Sequence, residues 1–166
     1  TDVDAFGAAI GICRAAQAME KRAYIVINEV SASLRPLYEC YEKDDNYPKD
    51  MFLRSSQALD MADTNSMVVV VDTNRPQMTE CEELLAKTDT VVVLDHHRQS
   101  SEIIENAVLS YVEPYASSTC EMVSEILQYV GDGIKMRSVE ADAMYAGIVI
   151  DTNNFMNQAG VRTFEA

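Results

Sequence analysis

The sequence predicts an α/β domain in which a mainly parallel β-sheet is flanked by helices, and three observations carry that prediction. Two β-branched runs, Met67 to Val71 and Thr90 to Leu94, are apolar throughout and read as strands covered on both faces. Segments of helical spacing alternate with strands, as parallel pairing with its crossovers requires. The 166 residues are 48% hydrophobic, enough for a single domain with a proper core.

Taken in order, Asp2-Val3-Asp4 leads into a helix over Ala5 to Lys21, followed by the strand Tyr24-Ile25-Val26-Ile27. Gly7 and Gly11 near the helix start are too sparse for a phosphate loop and suit close helix packing. Val30 to Asp63 is broken by Pro36, Pro48 and Asp44-Asp45-Asn46, with short helices expected around Leu34 to Glu42 and Ser55 to Met61. The strand Met67 to Val71 ends at Asp72. Met78 to Ala86 reads as a helix leading to the strand that ends at Asp95. Leu109 to Val112 is a further short strand, and Ser117-Ser118-Thr119 caps a helix running to about Val130. Val139 to Ile150 carries two patterns: Gly147-Ile148-Val149-Ile150 looks like a strand, while Ala141, Met144, Tyr145 and Ile148 share a helical face. Its length and Ala-rich start favour a helix, and either choice puts Asp151 at the end of an apolar element. Thr163 reads as the cap of a last helix starting at Phe164.

No apolar stretch approaches the roughly 20 residues of a membrane helix, and nothing at the start resembles a signal peptide, so this segment is expected to be soluble. The four cysteines, Cys13, Cys40, Cys81 and Cys120, form no Cys-x-x-Cys pair and read as reduced thiols of a cytosolic protein. A net charge of −14 argues against a broad grip on long nucleic acid, which depends on Lys and Arg. A small phosphorylated ligand is compatible with that charge if divalent cations first occupy the carboxylates. The acidic runs Asp44-Asp45 and Glu80 to Glu83 read as solvated faces.

The chemistry concentrates in Asp95-His96-His97-Arg98, which holds both histidines of the chain at a strand end. Ligands of open α/β sheets bind outside the carboxyl ends of the strands, where Asp72 and Asp95-His96 both lie. Asp2, Asp4 and Asp151 are placed nearby, and five carboxylates converging on one crevice would repel one another without cations among them. The spacing suggests a two-metal site with Asp72 bridging. Carboxylate and imidazole donors without thiolate suit two ions of Mn²⁺ or a similar first-row divalent metal, with Mg²⁺ less apt beside a histidine and zinc not favoured. Such a pair can activate water and clamp the oxygens of an in-line displacement at phosphorus.

These residues, together with Val71-Asp72-Thr73-Asn74-Arg75-Pro76, Glu113-Pro114-Tyr115-Ala116-Ser117-Ser118-Thr119 and Asp151-Thr152-Asn153-Asn154-Phe155, resemble the Asp-His-His (DHH) phosphoesterases over essentially the whole chain. The similarity is greatest to the manganese-dependent cyclic-di-AMP phosphodiesterases of Gram-positive bacteria. The resemblance implies Asp2 and Asp72 as ligands of a first metal, and Asp4, Asp72, His96 and Asp151 as ligands of a second. His97 would face the substrate phosphate, and Asp95 would orient a histidine. Arg98 would stabilise phosphate charge or form a structural ion pair. Ser117 and Ser118 are first of all helix caps, and the exposed amides of that helix start could also hold phosphate.

By the same resemblance, residues 1–166 form a DHH domain truncated at both ends, without an upstream metal-ligand histidine and a downstream substrate-binding domain. Asn157-Gln158-Ala159 departs from an Arg-Thr pair frequent in relatives. The implied activity is hydrolysis of cyclic-di-AMP to the linear dinucleotide pApA, in a longer protein anchored at the cytoplasmic face of the bacterial membrane, with homodimerisation left open. Short oligoribonucleotides or inorganic pyrophosphate are alternative substrates of the same core, and a non-catalytic nucleotide or metal sensor is the alternative of another class.

Overall fold

A computed structural model describes residues 1–99, 101–130 and 133–166. Along the chain run α1 (Val3–Ala18), β1 (Ile25–Val26), α2 (Arg35–Lys43), β2 (Phe52–Leu53), α3 (Ser55–Met61), β3 (Met67–Val71), β4 (Thr90–Asp95), β5 (Ala107–Val112), α4 (Thr119–Tyr129), α5 (Ser138–Asp151) and α6 (Val161–Glu165). All strand pairing among the described residues is parallel, in a two-stranded sheet β1-β2 and a three-stranded sheet β3-β4-β5. The expected parallel α/β architecture is therefore the observed one.

Several elements differ from the sequence reading for local reasons. Helix α1 starts two residues before Ala5, because Asp2 is its N-cap and Asp2 Oδ1 accepts from the Ala5 amide at 2.9 Å. No α-helix covers Met78 to Ala86; two 3₁₀ turns, Pro76–Met78 and Glu82–Ala86, stand there instead. Between them the chain is pulled extended: Asn28 donates through its amide N–H and Nδ2 to Glu80 Oε2, and through Nδ2 to the Glu80 carbonyl. Glu80 is thus a tie between segments and no mere solvated charge. Strand β2 escapes a periodicity argument because two residues have no period. The two-pattern segment before Asp151 is helix α5. Thr163 lies inside α6, accepting from the Gly160 amide at 3.0 Å and donating to buried Glu121 at 2.7 Å.

Helix α1 is apolar nearly all round and lies against both α4 and α5, as an all-apolar helix must if its surface is to leave water. Glycine makes the approach possible. A Cβ on Gly7 would stand 2.6 Å from the Ala143 carbonyl oxygen, and one on Gly11 would stand 2.5 Å from a Val123 methyl. The opposite end of the core is aromatic, with Phe6 packed edge-on against Tyr41 at 5.7 Å and stacked with Phe52 at 5.9 Å. In β4, Val91, Val93 and Leu94 are buried, as the uninterrupted apolar run requires.

One buried ion pair fastens α1 to α5. Glu140 accepts from both Arg14 Nε (2.8 Å) and Arg14 Nη2, from the Tyr47 hydroxyl (2.8 Å) and from the Arg137 amide (2.9 Å). Burial pushes the Glu140 pKa up, but these partners outweigh it and hold it below the ordinary value. Arg14→Met leaves that carboxylate buried without its cation and is expected to destabilise the fold by about 3 kcal/mol at pH 7. In the intact protein the depressed pKa adds stability above the unfolded glutamate pKa, which is lost as pH falls through the folded value. The variant loses the strongest of the partners that depress this pKa, so its deficit should shrink towards pH 4 in urea titrations at the two pH values.

Candidate metal centre

The carboxyl ends of β3 and β4, the first turn of α1, the start of α4 and the last residue of α5 meet at one point. Each contributes an acid or an imidazole: Asp72 follows β3, Asp95 ends β4 and leads to His96 and His97, Asp4 lies in α1, and Asp151 closes α5. His96 Nε2 stands 3.0 Å from Asp151 Oδ2, 3.6 Å from Asp72 Oδ1 and 3.9 Å from Asp4 Oδ2.

Asp4 is buried, with both oxygens on the amide end of α4: Oδ2 accepts from the Thr119 amide at 2.7 Å and Oδ1 from the Cys120 amide at 3.0 Å. Helix starts favour negative charge, and here the charge is supplied by the protein's own aspartate. The α4 amides expected from sequence as a phosphate cradle are therefore engaged by Asp4. Ser117 and Ser118 are buried as well: the Ser117 hydroxyl donates to Glu121 Oε2 at 2.6 Å, and Ser118 Oγ accepts from the Glu121 amide at 3.0 Å. Ser118 is thus the N-cap of α4, while Ser117 holds the Glu121 side chain and caps nothing.

Burial and the neighbouring Asp4 and Asp2 push the Asp72 carboxyl up to about 10, against the Thr119 hydroxyl, which donates to Asp72 Oδ1 at 2.9 Å. Asp72 also sits at φ 64°, left-handed backbone that aspartate tolerates better than most residues and that recurs at ligand-binding positions. The Asp4 pKa is raised by burial and then by Asp151, against the bonds from Cys120 and Thr119. Burial disfavours a charged His96, but Asp151, Asp4 and the Ala116 backbone outweigh it and raise its pKa.

Asp95 is fully buried and turns away from that cluster. It accepts from the His97 amide (3.1 Å), from His97 Nδ1 (2.8 Å) and from Asn74 Nδ2. Burial alone would raise its pKa, but His97 and Asn74 overcome it and keep the carboxylate ionised. The histidine that Asp95 orients is thus His97, whose side chain is 57% exposed and whose own pKa is raised by that bond against the effect of burial. Asn74, which the sequence marks only as part of the Val71-to-Pro76 motif, is the residue that positions Asp95. Asn74→Ala leaves buried Asp95 without one of its donors and is expected to destabilise the fold by about 1–3 kcal/mol, which urea unfolding would read.

Two groups of donor atoms close enough to share an ion result: Asp4, His96 and Asp151, and Asp72, His96 and His97. A divalent cation fits this set on the structure's own terms. His96 Nε2 is one of two buried polar side-chain atoms, among the described residues, that lack a hydrogen-bond partner, and it faces three carboxylates. Asp2, capping α1 through Oδ1, stands outside both groups but is close enough to disturb Asp72. Arg98 lies beyond the cluster, lining a cleft with Pro114, Tyr115 and Gln158.

Residues 1–148 match the family model for the DHH family, N-terminal domain. Over 99% of its length the chain is 40% identical to cyclic-di-AMP phosphodiesterase GdpP of Geobacillus thermodenitrificans, and it spans only 25% of that relative. It is 33% identical over 92 residues, 55% of the chain and 16% of the relative, to a probable manganese-dependent inorganic pyrophosphatase of Thermotoga maritima. An exopolyphosphatase-related protein from Bacteroides fragilis superposes on 99% of the chain and 47% of its own, with a TM-score of 0.72 at 20% identity, a likeness of fold.

Proposed function

Because the chain belongs to the DHH family, whose N-terminal domain it matches over residues 1–148, we propose that it is the metal-binding part of a Mn²⁺-dependent phosphodiesterase that opens cyclic-di-AMP to pApA. The observation that carries this reading is His96 Nε2 buried among Asp151, Asp72 and Asp4 at 3.0, 3.6 and 3.9 Å, with no well-aligned hydrogen bond to any of them. The names of the relatives support it: a cyclic-di-AMP phosphodiesterase matched along the whole chain, and a manganese-dependent pyrophosphatase matched in part.

Asp4, Asp72, His96 and Asp151 would hold one ion, and Asp2 and Asp72 would contribute to holding a second. Two such ions supply Lewis acidity and a water acidic enough to attack phosphorus near neutral pH. The chain's own groups do the rest. Asp4 is immobilised on the α4 amides and Asp72 by Thr119, so the donors are fixed before substrate arrives. With Nδ1 held by Asp95, His97 has Nε2 left for a substrate phosphate oxygen, where a proton on that nitrogen would stabilise charge building up in the transition state. Water adds to phosphorus as the P–O3′ bond breaks, and the leaving oxygen takes up a proton to give the 3′-hydroxyl of pApA.

Incubation of the protein with cyclic-di-AMP and Mn²⁺, with products separated by chromatography, tests the proposal. The expected result is pApA, abolished by chelation. Intact cyclic-di-AMP beside turnover of pyrophosphate or short RNA would keep the metal chemistry and replace the substrate, and inertness towards all three would favour a sensor.

A further inference from the structure

The segments that bring ligands to the metal cluster run on past it and enclose a separate cleft of about 510 Å³, lined by Arg98, Pro114, Tyr115 and Gln158. We propose that this cleft is a nucleobase subsite selective for adenine, with Tyr115 as its stacking platform and Gln158 as the amide that reads the base edge; the proposal rests on the phosphodiesterase reading above.

Its position follows from the chain path. Arg98 comes directly after His96-His97, Gln158 lies seven residues beyond Asp151, and Tyr115 lies between the end of β5 and the start of α4, whose amides hold Asp4. A phosphate at the cluster would therefore have its attached nucleoside within reach of all three. The side chains suit that ligand. Tyr115 is 90% exposed, so its ring has given up burial and offers an open face, and every base has a π-face to stack on it. Arg98 is the cation among the lining residues, placed to meet phosphate in a chain of net charge −14. The Gln158 amide offers one donor and one acceptor side by side, the complement of adenine N7 and N6.

The walls are also held in place, as selectivity requires. The Tyr115 amide donates to Glu113 Oε1 at 3.2 Å and the Ala116 amide to the Glu113 carbonyl at 3.0 Å, a tight turn that presents the tyrosine. The segment leading to Gln158 is strained: Asn153, Asn154, Phe155 and Gln158 all have φ between 46° and 63°, in left-handed backbone that is a marked outlier for phenylalanine. Phe155 is anchored there by stacking on Phe164 at 5.4 Å, and its amide donates to Thr152 Oγ1 at 3.0 Å. Strain of this kind persists where the surroundings over-determine it, and it collects at ligand clamps.

The test compares binding of adenosine 5′-monophosphate and ribose 5-phosphate to the Mn²⁺-loaded protein by calorimetry, which needs no turnover. The nucleotide should bind about tenfold more tightly, the lower part of the range for one stacked base. Tyr115→Ala should erase that advantage, Tyr115→Phe should keep it, and Gln158→Leu should reduce the preference for the adenine over the guanine nucleotide. Equal binding of the two probes by the unsubstituted protein, or an advantage that survives Tyr115→Ala, overturns the subsite. Cyclic-di-AMP hydrolysis measured on the same preparation keeps the two ideas apart. Hydrolysis without a base preference sinks the subsite alone, whereas Tyr115-dependent binding without hydrolysis sinks the phosphodiesterase and leaves the subsite standing.

Discussion

His96→Ala is expected to lower Mn²⁺ affinity by more than about 100-fold and to remove measurable phosphodiesterase turnover. Loss of an outer partner of a metal ligand already costs 10–100-fold, and His96 is the imidazole common to both donor groups. What remains after the substitution is three carboxylates, Asp4, Asp72 and Asp151, and the single imidazole of His97, whose Nδ1 is already engaged by Asp95. Thermal unfolding reads the effect without any assay of activity. Saturating the intact protein at 100 times its dissociation constant should stabilise it by about 2.7 kcal/mol, and a chain of this length gains about 2–4 °C per kcal/mol. An upward shift of about 5–10 °C is therefore expected with Mn²⁺, and none with His96→Ala. An equal shift in the variant would mean that the ion binds elsewhere.

Gly147→Ala should be nearly as damaging, although the residue carries no chemistry. A Cβ there would stand 2.6 Å from Cys120 Sγ, 2.9 Å from Asp4 Oδ1 and 3.0 Å from Asp4 Cα. Cys120 cannot retreat, because it is fully buried, its thiol lies 3.3 Å from the Asp4 carbonyl, and a Cβ on Gly7 would also stand only 2.7 Å from its sulfur. Overpacking of this kind costs about 1–3 kcal/mol, and the displaced group, Asp4, is one of the donors of the proposed metal centre. Urea unfolding should show the destabilisation and metal titration a weakened site. Adding Cys120→Ala removes the nearest obstacle and should recover part of the stability, while the contacts with Asp4 keep metal binding impaired. Full recovery of both would show that Asp4 has room to move.

The parts of this protein visible in one dimension are those with a strong local cause. Strand β3 and helix α3 have the bounds that their residues suggest, and β4 runs to Asp95, because continuous β-branched runs and helical spacing act within a few residues. Met78 to Ala86 misled because its composition suits a helix, while Asn28, about fifty residues away, decides the backbone at Glu80. Thr163 misled in the same way, through its bond to Glu121.

The sequence by itself determined the parallel α/β class and the acid and imidazole residues at the ends of its elements. Only the tertiary structure decided their division of labour. Asp4, Asp72, Asp151 and His96 face one another, Asp95 turns to His97 with Asn74 behind it, and Ser117 and Ser118 are spent on Glu121. The physical reason is that a metal centre depends on which donor atoms face each other across separate elements. That arrangement is set by the close packing of α1, α4 and α5 around Gly7, Gly147 and Cys120, which no local pattern of residues encodes.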